Sequence, residues 1–160
     1  MDYRSAGGRY WKIFLDKPFG TGNSSEKRVT FNDIDRYVII SSVSSDVFWW
    51  YYSSHFDMFN LGDYQIFGFR LSNLSNLIIE RLKEIGKIYE HSLEKNAIIK
   101  NVQTGHGIVS QKQYYVRKSK PIIDEIDKVL AKHYGFTEEE LDFIINYDIK
   151  YRMGDELNEE

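Results

Sequence analysis

The chain has 160 residues, no cysteine and only two prolines, Pro18 and Pro121. Without cysteine there is no disulfide framework, no thiolate zinc site and no cysteine nucleophile, a composition that fits a reducing cytoplasm. No stretch approaches the roughly 18 apolar residues that cross a bilayer. The longest aromatic patch, Val47 to Tyr52, is far too short, and the opening MDYRSAGGRYWK lacks the apolar centre of a signal peptide. The expectation is a soluble, cytoplasmic protein with no membrane partner. G-x-x-x-x-G-K, G-x-G-x-x-G, G-x-S-x-G and the paired-histidine zinc patterns are also missing. His55, His91, His106 and His133 are therefore read as surface or half-buried residues. No catalytic residue, no metal site and no cofactor site is expected within this chain.

Aromatic side chains, by contrast, make up 16% of the sequence, with Tyr 12, Phe 10 and Trp 3. Hydrophobic residues at 42% and charged residues at 28% are those of a globular chain. The net charge of −3 is unevenly spread. Residues 1–120 hold 17 basic and 12 acidic side chains, whereas 121–160 hold 4 basic and 12 acidic. Such asymmetry separates an anion-binding body from a segment that docks elsewhere, or reflects helix surfaces that simply differ in charge.

RYWKIFL (9–15) and KRVTF (27–31) read as strands that flank a polar tip and form a hairpin. Asn32 and Asp33 cap a helix beginning at Ile34. The serine cluster SSVSS (41–45) interrupts it, and Ser45 caps a second short helix, DVFWWYYSS. GDYQIFGFR (62–70) reads as a short strand. A long helix carries the stripe Leu74, Leu77, Ile78, Leu82, Ile85, Ile88 and Tyr89. Gly86 is expected to weaken that helix by about 1 kcal/mol relative to Ala. NVQTGHG (101–107) reads as a loop. Pro121 opens the next helix, with Ile122, Ile123, Ile126, Val129 and Leu130 as its stripe, and Gly135 stops it. Thr137 to Glu140 is a capping box, with Phe136 and Leu141 as its staple.

FGTG (19–22) follows a strand, as a nucleotide or S-adenosylmethionine loop does. Such loops open a helix whose N-terminus meets the ligand. Here KRVTF follows instead, so the two glycines with Asn23, Ser24 and Ser25 read as a flexible hairpin tip. Lys12, Lys17, Lys27 and Arg28 flank it and suit phosphate contact. The five aromatics of FWWYY (48–52) cannot all face one core. They serve as core packing, or as groups that stack on or wedge between bases.

Three segments, GGRYWKIFLDKPFGTGNSSEKRVTF, SSVSSDVFWWYYSSHFDMFNLGDYQIFGF and YGFTEEELDFIINYDIKYRMG, resemble the C-terminal part of large adenine-N6 DNA methyltransferases of restriction–modification and phage-defence type, which end in a TaqI-like specificity region. The resemblance implies a mixed α+β fold: a small β-sheet or hairpin module with packed helices over 1–118, a helical hairpin over 119–153 and a frayed acidic tail over 154–160. It implies double-stranded DNA as the partner. Lys12, Lys17, Lys27 and Arg28 would lie on phosphates, Asn23, Ser24, Ser25 and Arg70 on base edges, and Trp49 and Trp50 in stacking or core positions. The family's catalytic Asn/Asp-Pro-Pro-Tyr/Phe motif needs adjacent prolines, which this chain lacks. The implied role is thus a recognition fragment or specificity polypeptide, with S-adenosylmethionine belonging to a separate catalytic domain. The alternative expectation is a protein-interaction module whose acidic helices dock onto a methyltransferase or nuclease subunit.

Overall fold

The computed structural model describes residues 1–6, 10–105 and 107–154. Arg9 of the first expected strand, His106 and the tail 155–160 lie outside the described residues. The fold is mixed α+β, as expected. Strands β1 (Asp2–Arg4), β2 (Phe14–Leu15) and β3 (Glu26–Arg28) are followed by helices α1 (Arg36–Val43), α2 (Asp46–His55), α3 (Asp63–Gly68) and α4 (Asn76–Asn96). Strands β4 (Ile98–Thr104) and β5 (Gly107–Gln113) come next, then a 3-10 turn (Val116–Ser119), α5 (Lys120–Tyr134), α6 (Glu138–Asn146) and α7 (Ile149–Met153).

The first sheet is antiparallel in the order β2-β1-β3. The two strands expected to form a hairpin do not pair with each other. β1 lies between them, with Tyr3 opposite Phe14 on one side and Lys27 on the other. The segment expected as a strand over 62–70 is instead α3, whose first residue is Asp63. Alternating aromatics in so short an element carry no decisive period.

α1 and α5 pack on α4, while α2 and α6 pack on α5. The buried seam of α4 is Leu82, Ile85, Gly86, Tyr89 and Leu93. Leu77 and Ile88, read from sequence as part of that stripe, are 82% and 49% exposed. Ile123, Ile126 and Leu130 of α5 and Ile144 of α6 join Phe14, Ile40, Phe48 and Tyr89 in one core. Segments 1–118 and 119–153 thus share their interior. Of the FWWYY run, Phe48, Trp49 and Tyr52 are buried. Phe48 meets Phe69 edge-on at 5.2 Å and Phe14 at 6.1 Å.

The helix ends follow local chemistry. Ser45 Oγ accepts the Phe48 amide at 2.9 Å. Thr137 and Glu140 form the reciprocal capping box. Gly135 closes α5 in the left-handed conformation at φ 74°. Gly86 has another role than its helix propensity indicates. A Cβ there would press into the carbonyl oxygen of Tyr37 and come within 3.2 Å of its Cβ, so the α1–α4 crossing depends on a bare backbone.

A buried charge cluster ties α2, α5 and α7 together. Asp46 and Asp127 are fully buried, and Lys120 and Arg152 nearly so. Asp46 Oδ1 accepts from Arg152 Nη1 and its Oδ2 lies 3.0 Å from Lys120 Nζ. Lys120 also pairs with Asp124. Carboxylate oxygens of Asp46, Asp124 and Asp127 lie within 4.8 Å of one another, and the ammonium and guanidinium supply the opposing charge. Asp127 Oδ1 accepts the Val47 amide at 3.1 Å, while its buried Oδ2 has no other hydrogen-bond partner. Burial, then repulsion from Asp46, pushes the Asp127 carboxyl well above its usual range. Both effects favour its protonated form.

Two stability predictions follow from these contacts. Gly86→Ala gains about 1 kcal/mol of helix propensity, but forcing a methyl into a packed crossing costs about 1–3 kcal/mol or more. Thermal unfolding should show a lower Tm for the variant; an unchanged or raised Tm would mean that the helices separate at no cost. Asp127 has a raised folded-state pKa, so its proton favours the native state fully below the unfolded carboxyl value and progressively less as pH rises toward the folded value. Asp127→Asn keeps the acceptor for Val47 and removes this titration. Its urea midpoint should exceed that of the parent chain at pH 8, and the difference should shrink toward pH 4.

Candidate nucleic-acid interface

Strands β4 and β5 form a two-stranded antiparallel ribbon, paired from Ile98 opposite Gln113 to Thr104 opposite Gly107. Sequence reading expected a loop over 101–107. Branched residues on both sides, Ile98, Ile99, Val102, Ile108 and Val109, supply strand propensity. Gly107 at φ 118° permits the tight connection. None of the ribbon's described residues is buried, and Ile99 and Ile108 are 74% and 71% exposed. With seven residues per strand, it reaches about 23 Å at a rise of about 3.3 Å per residue.

The pairing register sorts its side chains. Residues directly opposite each other share a face, so Ile99, Asn101, Gln103, Ile108, Ser110 and Lys112 occupy one side. Lys100, Val102, Val109, Gln111 and Gln113 occupy the other. Ser110 Oγ donates to Asn101 Oδ1 at 2.8 Å, which steadies the amide without consuming its N–H donors.

Glu94, in the last turn of α4, anchors the ribbon's foot. It accepts from Lys112 Nζ, lies 3.2 Å from Lys17 Nζ and accepts from the Tyr114 hydroxyl at 3.1 Å. Partial burial works against its charge, but hydrogen bonds from Lys112, Lys17 and Tyr114 outweigh this and hold its pKa below the usual range. The FGTG loop packs at the same foot. Phe19 meets Tyr114 edge-on at 6.2 Å, and the Arg4 guanidinium covers Phe19 at 4.7 Å. Strand β3 follows the loop, so no helix N-terminus faces it. Asn23 Oδ1 accepts the Ser25 amide at 2.9 Å, making the tip an Asx turn.

The structure divides the residues expected to touch DNA into four groups. Lys17 stands at the ribbon's foot, and Asn23, Ser24 and Ser25 form the neighbouring tip. Lys27 and Arg28 are exposed on β3, where Arg28 pairs with Asp2 at 3.1 Å. Arg28 also lines a hollow of about 670 Å³, beside Lys87 and the pairs Arg36–Asp16 (2.6 Å) and Lys83–Asp35 (3.4 Å). Arg28, Arg36 and Lys83 are therefore already matched by carboxylates. Trp50 and Arg70 line a separate apolar hollow. Lys12 and Trp49 are interior, at 7% and 4% exposure. Lys12 lies 5.9 Å from the Tyr52 ring, and burial lowers its pKa. Both are therefore core rather than surface groups in this conformation.

No protein-family model, curated protein or solved structure matches the chain. The ribbon residues Lys100, Asn101, Gln103, Gln111 and Gln113 escaped the sequence reading. Their signal was two runs of branched residues, 98–102 and 108–109, with glycines at 105 and 107 between them.

Because the ribbon buries nothing, it should be dispensable for folding. A variant in which Asn-Gly joins Ala97 to Tyr114 in place of 98–113 should unfold cooperatively, with a Tm within a few degrees of the parent's. Collapse of the transition would show that the ribbon carries part of the core.

Proposed function

We propose that the chain is a DNA sequence-recognition (specificity) module of an adenine-specific DNA methyltransferase from a restriction–modification or related defence system. In that role it works beside a catalytic domain that holds S-adenosylmethionine. The observation that carries the reading is the exposed ribbon. The major groove of B-DNA, about 12 Å wide, admits a two-stranded β-ribbon. Asn101 and Gln103 share one ribbon face, and amide side chains suit the N6 and N7 edge of adenine. Ile99 and Ile108 on that face suit the methyl group of thymine. Lys100 along the ribbon, with Lys17 at its foot, suits the phosphates. The resemblance of the three quoted segments to a TaqI-like specificity region supports the same reading.

Fluorescence anisotropy against a pool of random duplexes, repeated across salt concentrations, tests it. Non-specific affinity near 10⁻⁴–10⁻⁶ M at physiological salt, tightening steeply as salt falls, is expected. Lys100→Ala should reduce the salt slope by about one. Asn101→Ala should weaken binding to a duplex selected from the pool more than binding to the pool itself. Folded protein that binds no duplex at low salt overturns the reading. Undiminished binding by the ribbon-trimmed variant overturns the assignment to this surface.

A further inference from the structure

Two apolar hollows of about 240 and 320 Å³ adjoin at the C-terminal end of α5 and share Trp50 and Phe136 as a common wall. Tyr51, Phe69 and Tyr134 complete the first, and Phe143 and Ile144 of α6 the second. The floor is firm. The Tyr134 hydroxyl donates to the Arg70 carbonyl at 2.6 Å, and Tyr134 stacks on Phe136 at 5.5 Å. The outer edge is not covered: Phe143 is 58% exposed, and Trp50 and Phe136 are half-buried. Glu139 and Glu140 line the second hollow, and α6 carries Glu138 and Asp142 besides, with no basic residue.

We propose that this groove docks a basic amphipathic helix from a partner protein. Two hollows side by side fit two apolar side chains one turn apart, the i and i+3 or i+4 anchors of helix-in-groove recognition. The rim selects the charge of the occupant. Glu139 and Glu140, the two carboxylates that line it, favour Lys or Arg on the flank of the incoming helix and repel a nucleic-acid backbone. A second copy docking through the same face would bring like charges together. The site does not depend on the ribbon. The ribbon joins α5 through the 3-10 turn at its N-terminal end, and 15 residues at about 1.5 Å each place the groove about 22 Å farther along.

The test is a titration of the full chain with a synthetic Leu/Lys amphipathic helix of about 18 residues, long enough to hold helical structure. Tryptophan emission reads binding. Trp49 is buried and Trp11 sits under Arg152, so a change on binding arises at Trp50. The Leu/Lys helix should bind. A scrambled peptide of the same composition and a Leu/Glu helix should bind at least tenfold more weakly. Phe143→Ala, an exposed position that leaves the fold intact by circular dichroism, should weaken the Leu/Lys helix about tenfold. Glu139→Lys should lower the preference for the Leu/Lys helix over the Leu/Glu helix. Equal binding of the scrambled peptide, or no effect of Phe143→Ala, overturns the proposal. So does displacement of the peptide by duplex DNA, or sedimentation showing that the groove is closed by a second copy.

Discussion

Asp46 is the residue on which the arrangement of the other elements depends. It occupies the first turn of α2, is wholly buried, and faces Lys120 from the start of α5 and Arg152 from α7. Arg152 in turn lies over the Trp11 ring at 4.0 Å and near Trp49 at 5.1 Å. The Trp11 indole donates to the Arg152 carbonyl at 2.8 Å. Removing one partner of a buried ion pair strands the other, at a cost of about 3–5 kcal/mol, so the cluster is all-or-none. Four segments distant in sequence are thereby held at one point. Because Lys120 directly follows the turn that carries the ribbon into α5, the same point fixes where the ribbon leaves the body.

This clasp joins two segments that are distant in sequence. RYWK near the start and NYDIKYRMG near the end meet through Trp11, Tyr10, Tyr151 and Arg152. Asp148 at φ 58° turns the chain from α6 into α7, which brings Arg152 inward. The closing segment is thus fastened to the start of the chain.

What was legible in the sequence was local. Ser45, Gly135 and the Thr137–Glu140 box act within four residues of themselves, and the structure has each where its chemistry puts it. What was not legible depends on distant partners. β1 is three residues long and gains its place only by pairing with strands 11 to 26 residues away. The cost of a side chain at Gly86 appears only when the Tyr37 carbonyl lies across it. Asp46 and Arg152 are 106 residues apart. The ribbon failed for another reason: with both faces in solvent, no alternation of polar and apolar residues is required, and the period-2 signal of a half-buried strand is missing. The same exposure leaves Lys100 and the Asn101 amide donors facing solvent.

The net charge of −3 argues against an anionic ligand only if charge acts as a sum. In salt near 0.15 M the Debye length is about 8 Å, so solvent-exposed charges much farther apart than this hardly influence one another. The acidic residues of α6 follow the C-terminal end of α5, whereas the ribbon joins its N-terminal end, and α5 is about 22 Å long. An anion at Lys100 or Lys17 therefore experiences the local basic field, and a cationic helix at Glu139 the local acidic one. Lowering the salt lengthens the screening distance and lets the two ends compete. On the proposed reading, the attraction of the ribbon for DNA would then be smaller at very low ionic strength than its lysines alone would give.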